Sequence, residues 1–263
     1  MSRHDICISK CMASKTHIIG LMGASGSGKD TCSTFIRTEL GQVRTLAFAD
    51  PFKELASIAL DLPHANLWGP SPQRNEHLAF LGEEDYWTSR RAFMERYLLQ
   101  PRVGGWASKV TLSAPSSQYS RDIADAVMAW YSVAANESVQ KGGNSVRRIL
   151  QTLASDYCRA VNPNIWVDFT MNEIRFHASD GVRAVVVTDV RIENEVRTLL
   201  GAGAEVWRLT RDTKDLPSET INHSAESDLR RLEVQAMATR VIDNANMTIN
   251  ETQAEIRRIC ATL

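Results

Sequence analysis

THIIGLMGASGSGKDT, residues 16–31, decides the fold. The apolar run Thr16 to Met22 predicts a buried strand, the glycine-rich stretch Gly23 to Gly28 a tight turn, and Lys29 to Leu40 a helix closed by Gly41. Gly23-Ala24-Ser25-Gly26-Ser27-Gly28-Lys29 fits the spacing G-x-x-x-x-G-K in the strand–turn–helix context that this pattern needs. Such glycines let successive backbone N–H groups converge on phosphate oxygens. The helix start adds its positive dipole end, and Lys29 adds a full charge for the β and γ phosphates of ATP. The plainer alternative is a glycine turn joining strand to helix, against which Lys29 and the flanking elements count. Asp30 follows the lysine where a Ser or Thr hydroxyl usually ligates Mg²⁺, and Thr31 comes one position late. Either Asp30 meets the metal, directly or through water, or it favours the helix start while Thr31 reaches the ion.

Working outward, Val43 to Phe48 reads as a second strand, and Asp50-Pro51 has the form of a helix start. Strand, helix, strand, helix indicates an α/β fold. Pro63, Pro70, Pro72, Pro101, Gly104-Gly105 and Gly142-Gly143 then punctuate two helix-like stretches, Tyr86 to Leu99 and Arg121 to Ala134. Residues 82–145 are accordingly set apart as a mostly helical insertion: a lid over phosphates, or equally a subdomain or homodimer contact. Helices are expected from Ser145 to about Val161 and from Trp166 to Phe176, and a strand at Ala184 to Val187 ending in Thr188-Asp189. A helix, a strand at Glu205 to Leu209, a polar loop, a short strand near Val241 and a terminal helix follow. The expected organisation is a flexible tail, 1–15, and one domain, 16–263.

The 263 residues are 43% hydrophobic and 23% charged, ordinary for a globular chain. A formal net charge of -1 argues against a nucleic-acid partner while leaving room for a small anion held by placed cations. No apolar run approaches the roughly 18 residues of a membrane span, and Met1 to Lys15 lacks a secretory apolar core, so a cytoplasmic protein without membrane partners is expected. Cys7, Cys11, Cys32, Cys158 and Cys260 lack zinc-like spacing and read as reduced thiols.

A phosphate loop needs a second acidic group, which open α/β sheets place at the end of another parallel strand. Asp189 follows AVVVT, and Arg191 stands two residues on to stabilise charge on a transferring phosphoryl group; a solvated strand-to-helix turn is the alternative. Arg147, Gln151 and Ser155 recur at four-residue intervals and share one helix face, offering a cation, an amide and a hydroxyl. A polar stripe of this kind is more often a solvent face. Trp166, by residue type alone, reads better as core than as a base-stacking ring.

Together these segments resemble the bacteriophage deoxynucleoside monophosphate kinases, a branch of the P-loop NTPase fold with a mainly parallel central sheet flanked by helices. SGSGKDT at 25–31 is similar to that family's phosphate loop, including the Asp after the lysine. FADPFKE at 48–54, GPSPQR at 69–74, RRILQTLASDYCR at 147–159 with NIWVDF, VVVTDVRIENE at 185–195, His223-Ser224-Ala225-Glu226 and VIDNAN at 241–246 resemble its further motifs in order. Ala154-Ser155 departs from the family's Gly-Thr. Some members of the family carry a further basic residue inside the loop near Gly26; this chain does not, and the resemblance leaves that role to another cation, such as Arg90, Arg91, Arg96 or Lys141 of the insertion. The resemblance implies ATP and Mg²⁺ at Lys29, Asp30 and Thr31, with Asp189 also serving the metal. It implies a deoxynucleoside monophosphate held by Lys53, Arg74, Arg147, Gln151, Ser155, Trp166, Asp189, Arg191 and Glu195, with Trp166 now stacking on the base. If phage-encoded, the chain would act in the host cytoplasm. Lys29, Asp189 and Arg191 are the expected catalytic groups. Three rivals stay open: a kinase of dephospho-coenzyme A or phosphomevalonate, a non-catalytic ATP-binding switch, and a degenerate kinase kept for binding.

Overall fold

The computed structural model describes residues 16–24, 26–69, 71–99, 117–211 and 229–263. The expected tail 1–15, Ser25 and the 223–226 motif lie outside them. The described chain falls into two compact units. Residues up to Thr45, Ile174–Thr188 and Leu199–Leu263 form the first; Leu46–Glu173 and Asp189–Thr198 form the second.

In the first unit, β1 (His17–Met22), β2 (Val43–Leu46), β5 (Ala184–Val190), β6 (Glu205–Thr210) and β7 (Arg240–Asp243) build a five-stranded sheet in the order β2-β5-β1-β6-β7. β1 runs parallel to β6 from Ile19↔Glu205 to Met22↔Arg208, and β6 parallel to β7 from Trp207↔Arg240 to Thr210↔Asp243. A parallel sheet covered on both faces needs continuous apolar strands rather than alternating ones. Ala184 to Val187 meets this condition, each residue being 0% exposed. α1 (Lys29–Leu40) packs along the last helix, α10 (Ile249–Cys260), with Cys32, Ile36, Ile256 and Ile259 buried against Ile19, Leu21, Trp207 and Leu209. Thr248 starts α10 with a capping box to Glu251. The fold is the expected α/β one, a parallel central sheet flanked by helices.

Two strand ends differ from the sequence expectation. β2 stops at Leu46, because the Ala47 N–H turns to the Asp50 carboxylate at 2.9 Å. β5 continues through Val190, so Asp189 lies within the strand.

The second unit contains α2 (Asp50–Leu60), α3 (His64–Trp68), α4 (Ser71–Asn75), a two-stranded antiparallel ribbon of β3 (His77–Leu78) and β4 (Asn144–Ser145), α5 (Glu84–Leu99), α6 (Ser117–Gln140) and α7 (Val146–Gln151). The segment set apart as an insertion supplies much of its core. Trp87, Met94, Val127, Trp130 and Tyr131 are buried in one cluster with Leu55, Ala59, Leu150 and Trp166. Each such side chain contributes about 1.5–3 kcal/mol of transfer free energy, so α5 and α6 are walls of this unit. Their polar handles are also used: Trp87 Nε1 donates to Leu81 O at 2.7 Å, and Trp130 Nε1 to Thr152 Oγ1 at 2.9 Å.

The helix expected from Ser145 to Val161 changes character after Gln151. Thr152–Cys158 is π-helical, and Arg159–Val161 resumes the α form. Thr152 Oγ1 donates toward the carbonyls of Arg148 and Ile149, at 3.1 and 3.2 Å, where the change begins. α8 (Ile165–Ser179) and α9 (Glu193–Gly201) follow. Cys32, Cys158 and Cys260 are free and buried, and burial pushes their thiols up to about 12, 12 and 11. Cys7 and Cys11 lie outside the described residues.

Candidate functional site

In the first unit the turn after β1 is shaped by positions that only glycine fills easily. A Cβ on Gly23 would stand 2.6 Å from Ser27 Oγ and 2.9 Å from Leu209 O. Gly28 caps α1 in the left-handed region, φ 93°. No side chain caps this helix start, whose first N–H groups have no acceptor within the helix. Lys29 is only 8% exposed; its Nζ reaches back to Gly23 O and Ala24 O, each at 2.6 Å, and to Ser27 Oγ at 3.4 Å. The ammonium therefore sits over the turn whose N–H groups would face phosphate.

Asp30 and Thr31 are exposed at the first turn of α1, and both offer oxygen. Among the described residues no group of three or more His, Cys, Asp or Glu is gathered. This donor set suits a hard ion that draws its remaining ligands from phosphate and water, so the residues fit Mg²⁺.

In the second unit, carboxylates fasten backbone. Asp189 accepts the N–H of Phe48 on Oδ1 at 2.7 Å and that of Ala49 on Oδ2 at 3.0 Å, while Asp50 Oδ2 takes the N–H of Ala47. The turn leading into α2 thus has three consecutive donors satisfied by two acids. Burial pushes the Asp189 carboxyl up, opposed by Arg191 and by these two N–H groups. Each carboxyl oxygen thus accepts one backbone N–H. Asp189 was expected to serve a metal; here its oxygens serve the turn.

Glu195 is 2% exposed. Its Oε1 pairs with Arg159 Nη2 at 2.8 Å, and its Oε2 accepts the N–H groups of Arg191 and Ile192 at 2.9 and 3.1 Å. Burial pushes this carboxyl up as well, and Arg159 is the largest influence in the other direction. Expected to line a ligand site, Glu195 instead clasps the segment that carries Arg191. Arg159, its partner, had no assigned role although it ends the RRILQTLASDYCR motif.

Trp166, expected by resemblance to stack on the base, lies in the core of the second unit. It is 0% exposed, donates Nε1 to Ala154 O at 3.1 Å, and packs at 60° against Phe52 with centroids 5.2 Å apart.

Among the other expected residues, Lys53 lies 3.6 Å from Asp50 and over the Trp68 ring, whose Nε1 donates to the same acid at 3.3 Å. Arg147 Nε donates to Asn75 Oδ1, which brings it to the segment that carries Arg74. Gln151 and Ser155 are half-buried on either side of the change to π-helix. Asp50 and Trp68 were not singled out as site residues; the signals for Asp50 were its helix-start form and its place in the FADPFKE motif.

A sequence model of the family described as deoxynucleotide monophosphate kinase matches residues 17–256. The chain belongs to that family. It is a nucleoside monophosphate kinase, a phosphotransferase acting on a small nucleotide. No curated protein matches its sequence. Family membership sets aside the dephospho-coenzyme A and phosphomevalonate alternatives. Among the described residues no helix of this kinase is long and apolar enough to cross a membrane.

Proposed function

We propose that this kinase binds ATP at Gly23–Thr31 and transfers the γ-phosphoryl in line to a deoxynucleoside monophosphate. The observation that carries the donor assignment is the Lys29 ammonium drawn over a glycine-shaped turn at a strand-to-helix junction. Asp30 and Thr31 would hold Mg²⁺, which would supply neutralising charge for the triphosphate. Lys53, Arg74, Arg147 and Arg191 attract the acceptor's phosphate, and Gln151 and Ser155 supply neutral hydrogen bonds. The acceptor's phosphate oxygen attacks the γ-phosphorus and the bond to the β-bridging oxygen breaks, releasing ADP and the nucleoside diphosphate. The attacking phosphate is ionised at pH 7, so no strong base is needed. Lys29 follows the charge as it moves to the leaving group.

The test is ADP release from Mg-ATP with a panel of deoxy- and ribonucleoside monophosphates and a no-acceptor control. Acceptor-dependent release with formation of the matching diphosphate is expected. Release at one rate with and without acceptor removes the acceptor assignments, and a fully active Lys29→Ala variant removes the donor assignment.

A further inference from the structure

We infer that Asn244 is a positioning residue for the phosphate loop, holding the Ser27 carbonyl so that the Gly28 N–H is aimed at the donor's phosphates. The inference rests on Gly23–Thr31 being the ATP site. Asn244 directly follows β7, yet its Nδ2 donates to Ser27 O at 2.9 Å in the interior. The residue is 5% exposed, and its own N–H is anchored on Thr210 O at 3.1 Å. It packs beneath the turn: a Cβ on Gly28 would stand 3.1 Å from Nδ2.

In a trans peptide the C=O and the following N–H point to opposite sides. Drawing Ser27 O toward Asn244 therefore turns the Gly28 N–H away from the amide, to the side of the helix start where an anion is favoured. The acceptor also fixes the orientation of the amide, since a carbonyl in place of Nδ2 would oppose Ser27 O. Ser27 is held twice, Oγ by Lys29 and O by Asn244. When Lys29 moves onto phosphate, the Asn244 contact is the one that stays. The arrangement is not the most stable one available, for Asn244 Oδ1 is buried with no hydrogen-bond partner among the described residues. A buried polar atom left unmet is costly, and such departures concentrate at functional sites.

ATP affinity of the full-length protein, measured by calorimetry, tests this with Asn244→Ala, Asn244→Asp and Lys29→Ala. Loss of the clamp should weaken ATP binding roughly tenfold in Asn244→Ala, the scale of one buried hydrogen bond, with the KM for the acceptor unchanged. Asn244→Asp keeps the shape but turns a carboxylate oxygen on Ser27 O, so its loss should be larger. That loss should shrink relative to wild type as pH falls and the introduced acid gains a proton to donate, whereas the Asn244→Ala ratio should stay flat with pH. A merely structural role would not produce that difference. Wild-type affinity in both Asn244 variants, with affinity lost in Lys29→Ala, overturns the inference and leaves the donor site standing. Wild-type affinity in Lys29→Ala overturns the donor site and the inference with it. Should Asn244→Ala fail to fold, the pH response of the isosteric Asn244→Asp decides, and a flat response overturns the inference.

Discussion

Asp189→Asn separates the duty the structure gives this acid from the metal-binding duty expected of it. The wild-type carboxylate accepts two backbone N–H bonds, at 2.7 and 3.0 Å, one on each oxygen. An amide of the same shape keeps one acceptor and turns an NH₂ toward the other N–H. One charge-assisted bond is lost and a donor is left facing a donor, a loss of about 3 kcal/mol. Urea unfolding followed by tryptophan fluorescence suits the measurement, because Trp87, Trp130 and Trp166 are all buried in the core of the second unit. With an m value of about 3 kcal/mol/M, the midpoint should fall by roughly 1 M. Activity should fall with it, because the loosened turn leads into the helix that carries Lys53, and added Mg²⁺ should not restore it. An unchanged midpoint, with activity recovered by raising Mg²⁺, would refute the reasoning and return Asp189 to the metal.

Glu195→Gln should lower stability by about 2–3 kcal/mol in the same assay, since one amide cannot accept from both the Arg159 guanidinium and the N–H groups of Arg191 and Ile192; a loss under about 0.5 kcal/mol would contradict the clasp. Trp166→Phe should cost about 1–3 kcal/mol through lost volume and the unmet Ala154 carbonyl while leaving the acceptor KM unchanged, whereas a large KM rise at wild-type stability would restore base stacking. Cys32 and Cys158, whose thiols are pushed up to about 12, carry almost no thiolate at pH 8, so thiol reagents followed by peptide mass spectrometry should label them only after unfolding; rapid labelling of the native protein would contradict their burial.

The first unit was the more legible. Its strands are continuous apolar runs and its phosphate turn combines a local glycine spacing with a lysine, so β1, α1 and the turn lie where residues 16–40 placed them. Signals of this kind live within one segment. What failed to show were contacts between distant segments: Asp189 reaching Phe48 and Ala49, Glu195 reaching Arg159, Asn244 reaching Ser27. No periodicity encodes these, because each depends on how the chain folds back. The packing of residues 82–145 was illegible for a related reason. Its prolines and glycines are local breaks, while the burial of Trp87 and Trp130 depends on partners beyond its own ends. Residue type alone pointed to the buried place that Trp166 takes.

On the acceptor site proposed above, the clasped acids would let a kinase gather cations for a phosphate before that phosphate arrives. Lys53, Arg74, Arg147 and Arg191 all belong to the second unit, and cations brought to one phosphate would repel one another if unshielded. A mobile acid would relieve the repulsion but would also compete with the substrate for its cations. Asp189 and Glu195 avoid that competition because each is held by two backbone N–H groups, which fix where the negative charge sits. Asp50 is held likewise by Ala47 and stands 3.6 Å from Lys53, near enough to steady the ammonium and beyond hydrogen-bond length. An incoming phosphate can then displace the cations' weaker contacts without dragging the acids along. Replacing one clasped acid should therefore disturb both stability and acceptor affinity, whereas replacing a cation should disturb chiefly acceptor affinity.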